Sequence, residues 1–287
     1  VVLKRSFNLS MLLQNPKTPL AGRGILVTRP AHQAVGLVEK IEQAGAMVFS
    51  CPAIEIVPPG NPDAADEQFQ QLDSFDILIF ISANAARIGI GMIEKNHQMP
   101  KQIAIAAVGQ ATTRMVEELG YQVAILPQQR FDSEGLLATP QLQQVAGKRV
   151  LIVRGEGGRE LLASRLRERG ATVHYAEAYR RTIPAVDTAP ILKAWQQQQI
   201  DAAIVTSNQG LDNLISLLGP AGHAYLLNTP LVVISQRTAE VAQERGFLHS
   251  VLLTQNPSDP AILDTLTSYF VAESNKGEAL EQQSSTL

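Results

Sequence analysis

The residues with chemical potential recur at one kind of place, just after short apolar runs. Thr28-Arg29-Pro30, Ser82-Ala83-Asn84 and Gly109-Gln110 follow three such runs. Arg154-Gly155-Glu156-Gly157-Gly158-Arg159, Ser207-Asn208-Gln209-Gly210 and Ser235-Gln236-Arg237-Thr238 follow three more. Hydroxyls, amides, glycines and arginines dominate these places. At the carboxyl edge of a parallel sheet, helix N-termini present free N–H groups, and small donors beside them suit a carboxylate or phosphate. Each residue also has a structural reading. Ser82, Ser207 and Ser235 are placed as helix N-caps, worth ~1 kcal/mol each. Arg29 and Arg154 serve equally as solvated charges at strand ends, and Tyr179 as a packed interdomain tyrosine. The Gly155–Gly158 segment matches neither Gly-x-Gly-x-x-Gly nor Walker A, so it does not predict a nucleotide. No Ser/His/Asp order, carboxylate pair or lysine signature supports nucleophilic chemistry. The residues alone predict a binder of an anionic small molecule.

Composition narrows the class. Lys and Arg number 24 against 27 Asp and Glu, a formal charge of −3, which argues against a nucleic-acid protein held by phosphate contacts. The single cysteine, Cys51, excludes an intrachain disulfide and any multi-thiolate metal site. His32, His97, His174, His223 and His249 show no metal-ligand spacing, so neither metal nor cofactor is expected. No apolar run approaches the ~20 residues of a membrane span, and a cytoplasmic protein without a membrane partner is expected. Residues 1–21 read as a loose extension, or as residues upstream of a start at Met11, rather than as a signal peptide. Residues 273–287, rich in Glu, Gln, Ser and Gly, read as a disordered tail.

The elements that must position these residues are short strands alternating with amphipathic helices. Strands are expected at 24–28, 47–57, 76–82, 103–108 and 122–126, then at 149–154, 172–183, 201–207, 231–235 and 250–254. That alternation predicts an α/β protein with parallel sheets covered on both faces. At 287 residues the chain suits two domains, and self-similarity suggests how they arose. Ile25-Leu-Val-Thr-Arg29 matches Val150-Leu-Ile-Val-Arg154 at a separation of 125 residues, and Gly45/Gly170, Asp76/Asp201 and Ser82/Ser207 share that offset. Thr112/Thr238 and Gly120/Gly246 match one residue further on. An internal duplication is expected. Met47–Val57 and Thr172–Ile183 are long, equivalent in the repeat and closed by prolines. Their polar interiors suit partly exposed strands crossing between domains.

In this order, these residues resemble the uroporphyrinogen-III synthase family over about Gly22 to Phe270. The resemblance rests on Ile25-Leu-Val-Thr-Arg-Pro30, Ile79-Phe-Ile-Ser-Ala-Asn84 and Val153-Arg-Gly-Glu-Gly-Gly-Arg-Glu-Leu161. The Tyr179 strand, Ile204-Val-Thr-Ser207 with Gly210, and Ser235-Gln-Arg-Thr-Ala239 complete it. It implies two flavodoxin-like parallel-sheet domains with exchanged halves, joined by a two-stranded β ladder. One domain would be 22–50 plus 182–272, the other 60–172, and the ladder 51–59 with 173–181. The implied activity is closure of the linear tetrapyrrole hydroxymethylbilane, with inversion of ring D, to uroporphyrinogen III and water, through a spiro intermediate and without a cofactor. The implied partners are that substrate and, by transient hand-over, hydroxymethylbilane synthase; a monomer is implied. Carried over, Tyr179 matches the tyrosine proposed to aid hydroxyl departure. A phenol, with an ordinary pKa of ~10, carries its proton at neutral pH. Ser207, Gly210 and Thr238 match positions that hold substrate carboxylates. Thr28, Arg29, Arg154, Gly155 and Arg159 fall on cleft-lining loops, and Ser82 and Ser235 join the binding set, although some relatives have glycine where Ser235 stands. The competing expectation is a non-catalytic two-domain binder or sensor using the same residues for an anionic ligand.

Overall fold

Ile25-Leu26-Val27, Ile77 to Phe80 and Ala202 to Val205 are apolar at every position, so neither face of a strand made from them tolerates water. A computed structural model, which describes residues 18–158, 160–247 and 251–284, places all of these residues in fully buried strands. In chain order the elements are β1 (Gly24–Val27), α1 (Ala31–Gln43), β2 (Met47–Ser50), β3 (Glu55–Val57) and α2 (Pro62–Phe69). Then come β4 (Ile77–Phe80), α3 (Ala83–Asn96), β5 (Ala104–Ala107), α4 (Gln110–Glu118), α5 (Ser133–Leu137) and α6 (Pro140–Gln143). Next are β6 (Arg149–Gly155), α7 (Leu161–Glu168), β7 (Thr172–Thr182), α8 (Ala189–Gln196) and β8 (Ala202–Val205). The last are α9 (Asn208–Leu227), β9 (Leu231–Val233), α10 (Gln236–Glu244), β10 (Val251–Leu253) and α11 (Asp259–Ser284).

The chain divides into two units. The first runs up to Glu55 and resumes at Ile183; the second is Ile56–Thr182. The first unit holds one sheet, ordered β10-β9-β8-β1-β2 and parallel throughout. Counted along that unit this is the 2-1-3-4-5 order of the flavodoxin type, whose ligand-binding switch point lies between its first and third strands. Those strands are β1 and β8. The second unit's sheet is ordered β3-β7-β6-β4-β5, with β4 parallel to β5 and β6, and β6 parallel to β7. Its corresponding switch point lies between β4 and β6.

In the central strands, side chains alternate cleanly between the two faces of each sheet. Leu26, Ala203 and Leu231 pack on one face of the first, while Ile25, Val27, Ala202 and Ile204 pack on the other. In the second sheet Leu78, Phe80, Leu151 and Val153 share one face, and Ile77, Ile79, Val150 and Ile152 the other. Helices cover both faces, so the central strands show no apolar–polar alternation in their sequence.

Four expectations change. Residues 47–57 form two short strands rather than one. Pro52 has no N–H to donate to a ladder, and the buried Cys51 and Ala53 around it join the first unit's core. The expected strand at 122–126 reduces to one parallel bridge, Ala106 with Ile125. The expected extension 1–21 reaches too far, because Leu20 is fully buried in the first unit's core and its N–H donates to the Ala44 carbonyl at 2.9 Å. At the other end α11 continues to Ser284, through most of the segment expected to be disordered. Glu, Gln, Lys and Ala are good helix formers, and a packed helix supplies the nucleus that an isolated polar segment lacks. Among the described residues, no helix is long and apolar enough to cross a membrane.

Two glycines separate packing from propensity. A Cβ at Gly24 would overlap the Gln199 carbonyl oxygen, whereas one at Gly91, exposed on α3, meets nothing within 4 Å. Gly24→Ala is expected to destabilise by about 2–3 kcal/mol through overpacking. Gly91→Ala is expected to stabilise by about 0.5–1 kcal/mol through helix propensity. Urea unfolding checks both, and equal midpoints for the two variants would contradict the packing described at Gly24.

Candidate active site

In the second unit, β4 ends where α3 begins, and Ser82 occupies the joint. Its backbone is extended, and its Oγ accepts the Ala85 N–H at 3.0 Å, as an N-cap does. Opposite stands Tyr179 of β7, brought there by an irregularity. The register of β6 with β7 pairs Arg154 with Glu177 and then Gly155 with Tyr179, leaving Ala178 as an extra residue. Such a bulge reverses which face the following side chains meet. Val173 and Tyr175 therefore pack on one face of the sheet, while Ala178 and Tyr179, adjacent in sequence, both pack on the other. The Tyr179 ring lies on the Gly155 backbone so closely that a Cβ there would stand 2.7 Å from a ring carbon. Tyr179 is 2% exposed, and its Oη lies 3.1 Å from Ser82 Oγ. Arg181 donates to the same Oη from Nη2 at 3.5 Å, its guanidinium 5.9 Å from the ring centroid.

Arg154 points to the opposite face, where Tyr175 lies, and is not a solvated charge. It is 4% exposed, and its guanidinium sits 4.4 Å above the Tyr175 ring. Nη1 donates to Glu160 Oε1 at 2.8 Å, Nε donates to the Gly155 carbonyl at 3.2 Å, and Glu177 Oε1 stands 3.6 Å from Nε. The Tyr175 hydroxyl donates to Glu160 Oε2 at 2.5 Å. This phenol, with Arg154 second, holds the Glu160 carboxyl below the usual carboxylate range. Burial, reinforced by the carboxylate, raises the Tyr175 phenol. The cluster borders a cavity of about 240 Å³ that Ile81, Val108, Phe131 and Leu162 also line.

In the first unit, the expected residues occupy the carboxyl edge of the sheet. Thr28, buried just past β1, donates from Oγ1 to the Ile204 carbonyl at 2.8 Å and so ties β1 to β8 at the switch point. Arg29 donates to Asp259 Oδ1 at 2.5 Å, with its side chain 12% exposed. Ser207 caps α9, accepting the Gly210 N–H at 3.0 Å, and a Cβ on Gly210 would crowd that oxygen at 3.1 Å. Ser235 caps α10, accepting the Thr238 N–H at 3.1 Å, and its Oγ lies 2.8 Å from the Thr238 hydroxyl. All three serines thus act as caps, and the N–H groups of Gly210 and Thr238 point to those caps. Arg159 lies outside the described residues.

A family model described as uroporphyrinogen-III synthase HemD matches residues 36–262. The chain belongs to the uroporphyrinogen-III synthase family. It is 33% identical over 245 residues to the uroporphyrinogen-III synthase of Escherichia coli K12, covering 84% of this chain and 99% of that one. It is 31% identical over 233 residues to that of Synechococcus elongatus, covering 79% of this chain and 88% of the relative. Solved structures agree on the fold. A mutant uroporphyrinogen III synthase from the extremely thermophilic bacterium Thermus thermophilus superposes with a TM-score of 0.60 at 15% identity, covering 87% of this chain and 99% of that one. The enzyme from Helicobacter pylori 26695 gives 0.55 at 18% identity, covering 86% and 99%.

Several residues that define these sites were not legible in the sequence. Tyr179 meets Ser82 only through the bulge, because strict alternation would place it on the face of Tyr175; Tyr175 and Glu160 carry no local motif of their own. Asp259 lies 230 residues from Arg29, and Asn213 holds the Ala53 carbonyl at 2.9 Å from within α9; neither carries a local motif. The depressed Glu160 carboxyl contributes to stability above its ordinary value, and that contribution disappears as pH falls through the depressed one. Tyr175→Phe removes the largest cause, so Glu160 is expected to titrate closer to the ordinary carboxylate range in a side-chain carboxyl NMR titration. An unmoved titration would show that the phenol does not hold it.

Proposed function

We propose that the chain performs the reaction of its family, cyclising hydroxymethylbilane with inversion of ring D to uroporphyrinogen III and water, as a cyclising lyase. The family match carries this reading, and the setting of Tyr179 beside Ser82 supports a chemical role for it. Tyr179 gives its phenolic proton to the substrate's hydroxyl, the C–O bond breaks, and water departs with the bonding electrons. The azafulvenium cation left behind is attacked by the substituted carbon of ring D, giving the spiro intermediate, which fragments and recloses. Reclosure ejects one proton from the free α-carbon of ring D, and that proton restores the phenol. The balance is one water and no net proton. The pyrroles supply the electrons, so the protein contributes positioning and one proton donor. The proposed carboxylate-binding residues are Thr28, Arg29, Ser207, Gly210, Ser235 and Thr238 of the first unit and, separately, Ser82, Arg154, Gly155 and Arg159 of the second. To engage a substrate carboxylate, Arg29 and Arg154 exchange Asp259 and Glu160 for it.

The two units also read as products of duplication with exchanged halves. The 125-residue offset equates β1 with β6, β2 with β7, β4 with β8 and β5 with β9. Under that mapping the core order β9-β8-β1-β2 of the first sheet becomes the order β5-β4-β6-β7 of the second. The equivalent Asp201 and Asp76 each accept a strand-start N–H at 2.7 Å, from Gly24 and Arg149. A monomer in the cytoplasm is the simplest setting. Because free hydroxymethylbilane closes spontaneously without inversion, direct hand-over from hydroxymethylbilane synthase fits the chemistry.

The test supplies enzymatically generated hydroxymethylbilane and separates the isomers. Uroporphyrinogen III is expected; the I isomer alone would leave a non-catalytic binder. Tyr179→Phe is expected to lower kcat by on the order of a hundredfold, the scale of a lost general acid, with KM little changed. Gly155→Ala, which pushes the ring off its seat, is expected to lower kcat on the order of tenfold to a hundredfold through misplacement. Full turnover in Tyr179→Phe would remove the phenol from the mechanism.

A further inference from the structure

Among the described residues, Tyr179 Oη has two neighbours in hydrogen-bond reach, and their chemistry differs. Arg181 has only N–H groups, so its contact at 3.5 Å makes the phenol oxygen an acceptor. Ser82 Oγ already accepts the Ala85 N–H at 3.0 Å, and its single proton remains to be placed. Tyr179 Oη at 3.1 Å is the side-chain oxygen beside it. Accepting an N–H at a helix N-terminus draws electron density from the serine oxygen, making its O–H a better donor. With both neighbours donating, the phenol's own proton is directed at neither.

We propose that Ser82 and Arg181 are positioning residues that act through Tyr179, each donating to its oxygen so that the phenolic proton is free for the departing hydroxyl and the resulting phenolate is held by two donors. The proposal rests on the reading of Tyr179 as the proton donor. It assigns no proton to Ser82 or Arg181 themselves: Tyr179 loses one when water departs and regains one when the ring closes. Gly155 completes the arrangement by letting the ring approach close enough for Oη to reach Ser82. The effect belongs to the chemical step, because the charge that the two donors stabilise exists only after proton transfer.

Ser82→Gly deletes the hydroxyl while retaining a residue that costs an N-cap only a few tenths of a kcal/mol, so the variant tests the donor rather than the helix. Its kcat is expected to fall on the order of tenfold to a hundredfold, at or below the scale of one lost oxyanion donor, with KM within about twofold of the parent. Ser82→Thr, which keeps cap and hydroxyl, restores most of the loss. Arg181→Leu lowers kcat in the same manner, and Arg181→Lys recovers part of it. The deciding measurement places Ser82→Gly and Arg181→Leu in a Tyr179→Phe background, where neither should lower kcat further. Losses there as large as in the parent would overturn the proposal while leaving Tyr179 as donor. Full turnover in Tyr179→Phe alone removes the donor reading, and this one with it. An unchanged kcat in Ser82→Gly overturns the proposal whatever Tyr179 does.

Discussion

Ala178 is one residue too many for the parallel pairing of β7 with β6, and the surplus is absorbed between Arg154 and Gly155. Before that point the odd-numbered residues of β7 pack with Val150 and Ile152; beyond it Tyr179 packs with Leu151, Val153 and Phe80. A regular strand would send Tyr179 to the Tyr175 side of the sheet, away from the N-terminus of α3. The bulge needs Gly155, because any Cβ there would strike the tyrosine ring. Arg154, one residue before the irregularity, stays on the face that regular alternation gives it, beside Tyr175 and Glu160. One inserted residue therefore separates a guanidinium site from a phenol site on two faces of one sheet.

The two arginines most suited to an anionic ligand are both occupied. Arg154 is buried against an aromatic ring and paired to Glu160, and Arg29 is paired to Asp259. A buried guanidinium without a partner would carry a desolvation cost of several kcal/mol, so the pairing keeps the site stable before a ligand arrives. On the proposed reading, recognition is an exchange of one carboxylate for another, which binds less tightly than an unpaired arginine would and so lets go more readily. For a polycarboxylate entering a protein of net charge −3, such exchange conserves local neutrality at each arginine. Glu160, with its side chain 55% exposed, is well placed to yield.

Much of the fold was legible because it depends on local rules. Strands buried on both faces read as unbroken apolar runs, glycines such as Gly120 and Gly170 take the positive φ that a helix end needs, and serines before helices become caps. What escaped depends on register and on distance in sequence. The division of 47–57 turns on one proline whose missing N–H matters only beside a ladder. The bulge arises from a mismatch between two strands, and no single strand's sequence records it. The continuation of α11 depends on what its first turns pack against: Ile262, Leu266 and Phe270 are core residues. The site divided in the same way. Residue types at strand ends pointed to an anionic ligand, while the partners that fix their orientation, such as Asp259 for Arg29, came from far along the chain.

Ser82, Ser207 and Ser235 each stop a helix end from fraying and each stand at the carboxyl edge of a sheet. In a scaffold of this kind the two duties reinforce one another. A capping hydroxyl has its rotamer fixed by the N–H it accepts, and the helix is fixed in turn by an apolar face packed on the sheet. The oxygen is therefore held without further ordering when a ligand arrives, and its own proton remains available. Positioning catalysis needs groups of this sort, because a donor misplaced by about 1 Å can cost on the order of a hundredfold in rate. Ser82 Oγ accepts the Ala85 N–H and lies 3.1 Å from Tyr179 Oη, so the helix cap and the proposed proton donor are parts of one hydrogen-bonded chain. On the proposed reading, the cap that starts α3 also fixes the geometry at the phenol, so the stability of the helix and the rate of the reaction draw on the same atom.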